Sequence, residues 1–413
     1  MSTVYVVGGG LAGLAAAVAL AGKDRKVVLL EGAPQAGGRC RSYFDATLGL
    51  TIDNGNHLVL SGNLSVQAYL KAIGASDGLA GPDRAVFDFA DVRSGRRWTL
   101  KPNDGPLAWW IFVQGRRVPD TTPLDYVALV KLLLAGPTDR IEDVIACSGP
   151  LWERLLQPFL LAVLNTEPRT ASAKLAGAVI AQSLARGGLA YRPRIAHPTL
   201  AAAFVDPALA FLKSRGADIR IGQRVRALTL DDERLTALDV AGAPLAIGKD
   251  DRVILAVPPW VAAELIPGLD APTEFRSIVN AHFKVAPPAS APRITGVIGG
   301  AAEWVFAFDD RVSITVSGAD AVVDDDRETL ARRFWADVAK VLRLSGEMPP
   351  WQVVKERRAT FAATPQQARR RPQAVTRWSN LLLAGDWTAT GLPATIEGAI
   401  RSGHKAAALA RSR

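Results

Sequence analysis

Between two apolar runs, Val4-Tyr-Val-Val7 and Lys26-Val-Val-Leu-Leu30, lie Gly8-Gly-Gly10-Leu-Ala-Gly13 and an alanine-rich stretch. This pattern leaves the chain few options: a buried strand must turn sharply, start a helix and come back as a second strand. Gly8 suits the tight turn, Gly10 lets a phosphate approach the backbone, and Gly13 lets the helix lie close to the strand. The helix N-terminus then faces the phosphates with partial positive charge. Glu31 closes the second run 18 residues after Gly13, where a carboxylate can hold ribose hydroxyls. The unit is predicted to bind an adenine dinucleotide. The plainer alternative, a glycine-rich loop without a ligand, does not account for the strand, helix and terminal acid occurring together.

With 413 residues the chain has room for two domains, and 49% hydrophobic with 22% charged residues is a globular composition. Cys40 and Cys147 have neither metal-type nor redox-type spacing, which suggests a reducing compartment without disulfides. The four histidines are scattered, so no metal is expected. The first 21 residues are almost free of charge but lack a basic leader, and their glycines keep the dinucleotide register. Neither a signal peptide nor a membrane span is predicted there. Net charge is +9, yet the basic residues are dispersed apart from Arg369-Arg-Arg371, and no nucleic-acid module is present. No nucleic-acid partner is expected. Ten tryptophans and several apolar stretches favour contact with lipid, with ordinary solvated charge as the alternative.

Further along, a helix is predicted over 66–73 and short strands with turns over 85–118. Residues 123–190 read as helical, with Leu160-Leu-Ala-Val-Leu164 set beyond Pro158. A helix at 207–215, strands at 219–221, 224–228 and 252–258, and a strand-rich stretch from 276 follow. The latter precedes a helix near 329–342, and Leu381-Leu-Leu-Ala-Gly-Asp386 is a buried strand leading to a helix from about Ala394. The fold class is therefore α/β: a Rossmann-type nucleotide-binding domain over 1–75, 205–270 and 350–413, interrupted by a mixed α+β substrate domain. The latter takes 76–204 and 271–349, its helical part being about 123–200. A site is expected between the two.

Gly8 to Gly13, Glu31, Gly37-Gly38-Arg39, Ala384-Gly-Asp386 and Glu397-Gly-Ala399 resemble the FAD-dependent amine oxidase and phytoene desaturase superfamily. Asp53-Asn-Gly-Asn-His57, Leu151-Trp-Glu, Leu164-Asn-Thr-Glu-Pro and Ala171-Ser-Ala resemble a narrower group, the squalene-associated hydroxysqualene dehydroxylases of hopanoid biosynthesis. The resemblance implies FAD held by Gly8, Gly10, Gly13, Glu31, Gly38, Arg39, Val225, Gly385, Asp386, Ala394 and Thr395. Val225 reads equally as a core strand residue. Covalent attachment in the superfamily uses a C-terminal cysteine. None exists here, so noncovalent FAD is implied. Pro393-Ala-Thr-Ile396 carries no ring where amine oxidases place one wall of an aromatic cage, which argues against an amine substrate.

The reaction implied replaces an allylic hydroxyl of a long-chain isoprenoid by hydride, and the departing water needs a proton donor. His57 is the first candidate, with Asp53 to orient it; a turn-capping histidine is the alternative. His282 is the second, on a strand face with Asn280 and Lys284, where it also reads as an ordinary strand residue. Asn56, Leu58 and Asn165 are candidate substrate contacts, Asn165 reading also as a helix cap. The apolar segments 107–113 and 126–134 are expected to wall a tunnel, touch a bilayer or fill core. The resemblance places the protein in the cytoplasm, peripheral on the inner face of the membrane, and nothing in the residues names its electron donor. A carotenoid-type desaturase or isomerase and a non-catalytic, escort-type prenyl-binding protein are the competing functions.

Overall fold

The computed structural model describes residues 2–22 and 24–412. Its first layer is a five-stranded parallel sheet in the order Asp218–Ile221, Lys26–Glu31, Thr3–Val7, Arg252–Leu255, Leu381–Leu383. Strand periodicity sorts the side chains. Val4, Val6, Val27, Leu29, Ile254 and Leu382 face one apolar cluster, and Tyr5, Val7, Val28, Leu30, Val253 and Leu255 face another. On the first side pack the helices Leu11–Leu20, Asp206–Ser214 and Ile396–Ser412. On the second lies the antiparallel sheet Val225–Leu230, Leu235–Val240, Ala243–Ala246. Strands from both ends of the chain thus share one sheet, separated only by Arg252–Leu255.

Leu11–Leu20 is buried on nearly every side, which explains its alanines. The C-terminal helix crosses it so closely that a Cβ on Gly403 would overlap the Ala12 carbonyl. Small residues are what permit this approach.

The second layer is a seven-stranded sheet in the order Trp351–Phe361, Phe275–Phe283, Val312–Val316, Trp304–Ala307, Ile294–Ile298, Phe87–Asp91, Arg97–Leu100. The helix Arg327–Leu342 covers one face. The other face, with Phe89, Trp98 and Trp304, packs into the cluster that holds the helices Gln157–Leu164 and Ala173–Gln182. A small sheet joins the layers, pairing Leu58–Leu60 with Pro193–Ala196.

Three expectations change. Trp351–Phe361 pairs with Phe275–Phe283, so these residues belong to the seven-stranded sheet and not with the parallel sheet that carries the glycine turn. Residues 101–118 contain no strand; a 3-10 turn, Trp109–Phe112, stands there. Pro158 does not break its helix either. A π-turn, Trp152–Leu156, runs directly into Gln157–Leu164, and Ala201–Val205 does the same before Pro207. The wider turn sits where the proline withholds its N–H donor.

Candidate active site

The glycine turn divides by function. Gly8 has φ +108°, and a Cβ there would lie 2.5 Å from the Ala256 carbonyl oxygen. A Cβ on Gly13 would overlap the Gly8 carbonyl, so both glycines serve packing. At Gly10 a Cβ would meet nothing within 4 Å, and a Cβ on Gly38 would come 3.3 Å from the Gly10 Cα. Gly37 N donates to Gly9 O at 2.8 Å, so the second glycine pair borders the same opening. This is a cradle of bare backbone at a helix N-terminus, and it fits a pyrophosphate. Glu31 accepts from Gly9 N at 2.6 Å and Ala33 N at 2.7 Å, one bond per carboxylate oxygen, and each oxygen keeps a lone pair for a ribose hydroxyl. Gln223 N donates to Glu31 O at 2.8 Å, which sets Val225, at the start of its strand, beside the acid.

The C-terminal segment closes on this turn. Arg39 pairs with Asp386 at 2.7 Å and donates to the Ala359 carbonyl, so its guanidinium locks three segments together. Gly385, φ +146°, donates its N–H to Ser402. Thr395 caps the last helix by accepting from Gly398 N at 3.1 Å, and Ala394 stands half-buried beside it. That helix starts at Ile396, and Thr395 satisfies one of its first-turn N–H groups. Sequence reading missed Arg371. It looked like part of a basic surface run, yet it is buried and donates to Asp386 O, Thr388 O and Thr390 Oγ1. Burial lowers its pKa to about 10, with Asp386 opposing. Only a cationic cluster hinted at it, and clusters of that kind are usually solvated. Glu397 was legible as a motif but not as a cap: it accepts from Ser65 N and Val66 N, opening the helix Leu64–Ala72.

His57 is half-buried and within electrostatic reach of Arg39 and Asp386. Burial first, then Arg39, lowers its pKa to about 4, so the imidazole is neutral. Asp53 does not orient it. Asp53 is buried, accepts from Ser42 Oγ at 2.6 Å and Leu200 N at 2.9 Å, and lies 3.8 Å from Arg311. Its carboxylate is a strut between two segments, and burial raises its pKa.

His282 is fully enclosed, with Nδ1 2.8 Å from Ser313 Oγ, and burial lowers its pKa to about 3. A side chain with no accessible surface cannot meet a substrate, so the expectation of a donor at His282 is withdrawn. Asn165 is corrected likewise: at φ 47° it ends a helix, accepting from Gly318 N and donating to Thr360 Oγ1 and Arg276 O. Asn56 gives its amide N–H groups to Ile314 O and Thr315 Oγ1 and leaves Oδ1 without a partner among the described residues. Leu58 points outward from a strand whose next residue, Val59, is buried.

An open glycine cradle, an acid at the second strand and a second chain end closing over both define a dinucleotide flavoprotein. The chain belongs to the flavin-containing amine oxidoreductase family, whose model matches residues 11–410. It is 54% identical to the hydroxysqualene dehydroxylase of Rhodopseudomonas palustris, covering 98% of each chain. It is 50% identical to the hydroxysqualene dehydroxylase of Sinorhizobium fredii, over 99% of this chain and 98% of that one. The solved structure of cyclohexylamine oxidase from Brevibacterium oxydans shares the fold, with TM-score 0.71 at 15% identity, covering 100% of this chain and 99% of that one. The molecule is an FAD-dependent oxidoreductase.

Proposed function

We propose that this enzyme converts hydroxysqualene to squalene by reductive dehydroxylation. The observation that carries the reading is the full-length similarity to hydroxysqualene dehydroxylases, at 54% identity. When bound and reduced, the flavin supplies a hydride: one C–O bond breaks, one C–H bond forms, and the hydroxyl leaves as water after taking a proton.

The chain's own residues do the rest. Gly10 and Gly38 admit the pyrophosphate, and Glu31 holds ribose hydroxyls. Arg39, Asp386 and Arg371 keep the closing loop in place. His57, neutral at rest and half-buried, takes up a proton from solvent and passes it to the departing oxygen; an anion bound against Arg39 would remove one cause of its low pKa and raise its proton affinity. Leu58 is an apolar wall. The ring-free stretch before Ile396 suits a hydrocarbon. Burying such a chain gains about 25 cal/mol per Å² without polar contacts. FAD is held noncovalently: Cys40 is buried, and burial pushes its thiol up to about 12, which leaves it a poor nucleophile.

Among the described residues no helix is long and apolar enough to cross a membrane. We place the enzyme in the cytoplasm, at the inner membrane face.

The test is anaerobic incubation of the reduced protein with hydroxysqualene in detergent, followed by product analysis. Squalene is expected, and its absence, or turnover of phytoene instead, defeats the reading. His57→Phe should stay yellow while turning over roughly 100-fold more slowly; an unchanged rate removes His57 from the mechanism.

A further inference from the structure

Exposed large apolar side chains are unevenly placed on this molecule. Of fifteen among the described residues, nine fall between 107 and 134. They occupy one surface, because the loop around Trp109–Phe112 and the helix Val127–Leu133 share an underside. Trp110 is buried edge-on against Tyr126 at 5.4 Å, and Val118 N donates to the Tyr126 hydroxyl.

The outward side chains do not come from a loose segment. Asn103 Nδ2 donates to Gly105 O and Leu107 O at 2.9 Å each, Arg117 donates to Ile111 O, and Arg116 donates to Lys101 O. From this braced platform Leu107, Phe112 and Leu134 project with 81%, 70% and 82% of their surface exposed. Leu124, Val127, Val130 and Leu134 follow at helical spacing, a stripe turned to solvent. The opposite stripe is already used: Leu132 is buried against Ala173–Gln182, where a Cβ on Gly177 would overlap the Leu132 carbonyl.

Charge decides what covers the stripe. Lys101, Arg116, Arg117 and Lys131 form no ion pair among the described residues. Nearby acids are spent inside the fold: Asp120 binds Arg96 and Arg154 at 2.6 Å each, and Asp125 caps Thr122 N at 2.6 Å. Arg116 lies 4.7 Å over the Trp109 ring. Apolar tips, an indole and unpaired cations together match the headgroup zone of an anionic bilayer.

We infer that the 107–134 surface seats the enzyme on an anionic membrane and takes its hydrocarbon substrate from there. Seating stands on the surface geometry, while delivery rests on the isoprenoid reading. Lys101 follows directly on the strand Arg97–Leu100 and its N–H donates to Arg116 O, so the seat adjoins the seven-stranded sheet.

Vesicle flotation of the yellow protein tests the inference, using phosphatidylcholine alone and mixed in equal parts with phosphatidylglycerol. Binding to the anionic vesicles that weakens with salt is expected. The paired change Phe112→Glu and Leu134→Glu should cut it at least roughly tenfold. Ile221→Glu, at an exposed apolar residue elsewhere, should leave it intact. All variants should stay yellow and keep wild-type turnover of detergent-dispersed substrate. No flotation of the wild type, or flotation of the paired variant at wild-type level, overturns the inference. So does a lipid-free dimer that the paired change splits, which would make the surface a contact between copies. Intact flotation with no turnover by any protein would count against the proposed reaction alone.

Discussion

Gly10 and Gly13 are indistinguishable as letters, yet a side chain at one would enter open space and at the other would strike the Gly8 carbonyl. The contrast can be measured. Gly10→Val should fold with a melting temperature close to the parent apoprotein but purify colourless, since the valine fills the pyrophosphate cradle. Gly13→Val should lose about 1–3 kcal/mol or more, because packed backbone has to move. Equal flavin content in Gly10→Val and wild type would refute the assignment. That Glu31 ends the second strand and Arg39 follows the second glycine pair was also visible by position. The partners of Asp53 were not: Leu200 lies 147 positions away in the chain, and no local pattern reports such a contact.

Elements in this protein are joined mainly by small residues and caps. The first and last helices touch through Ala12, Ala15, Ala16 and Gly403, and Glu397 of the last helix supplies the N-terminal cap of Leu64–Ala72. Glu397→Ala should cost about 1–2 kcal/mol in urea unfolding, the usual worth of a cap. Because Glu397 also pairs with Arg401 at 3.0 Å, Arg401→Ala is the control and should cost less. If both variants cost the same, the cap is not what the carboxylate contributes. Helices 66–73 and 207–215 were predicted within two residues of their observed bounds, since apolar spacing reports a buried face. The stretch 101–118 misled for the same reason in reverse: Leu107, Trp109, Phe112 and Val113 are apolar yet exposed beside buried Trp110, so burial cannot be inferred from them.

For the whole molecule, buried histidines set the acid response. His57 titrates at about 4 and His282 at about 3, both below the ordinary 6.5. As pH falls below 6.5 the unfolded chain takes up protons that the folded chain refuses, so stability present above that pH is lost toward about 3. Glu303, pushed up to about 7 by burial, acts in the opposite sense between 7 and 4.5. His282→Gln removes one histidine from the balance. Its stability should decline between pH 6 and pH 4 less steeply than wild type, by about 1.4 kcal/mol per pH unit. Parallel declines would mean His282 is not held neutral. The two-layer architecture was legible because glycine punctuation and strand runs recur at both chain ends. The allocation of Trp351–Phe361 was not, since an alternating strand does not name its neighbour.

Taken by itself, the amino-acid order determined the local framework: which runs become strands, where glycine must turn or admit a ligand, and that the two chain ends build one nucleotide-binding unit. These depend on periodicity and backbone freedom, which are properties of neighbours in the chain. Only the tertiary structure decided that His282 and Asn165 are sealed inside, that Asp53 braces a loop, and that Arg371 is buried beneath the closing turn. Burial and hydrogen-bond partnership arise between residues far apart in sequence, and they exist only once the sheets and helices have packed.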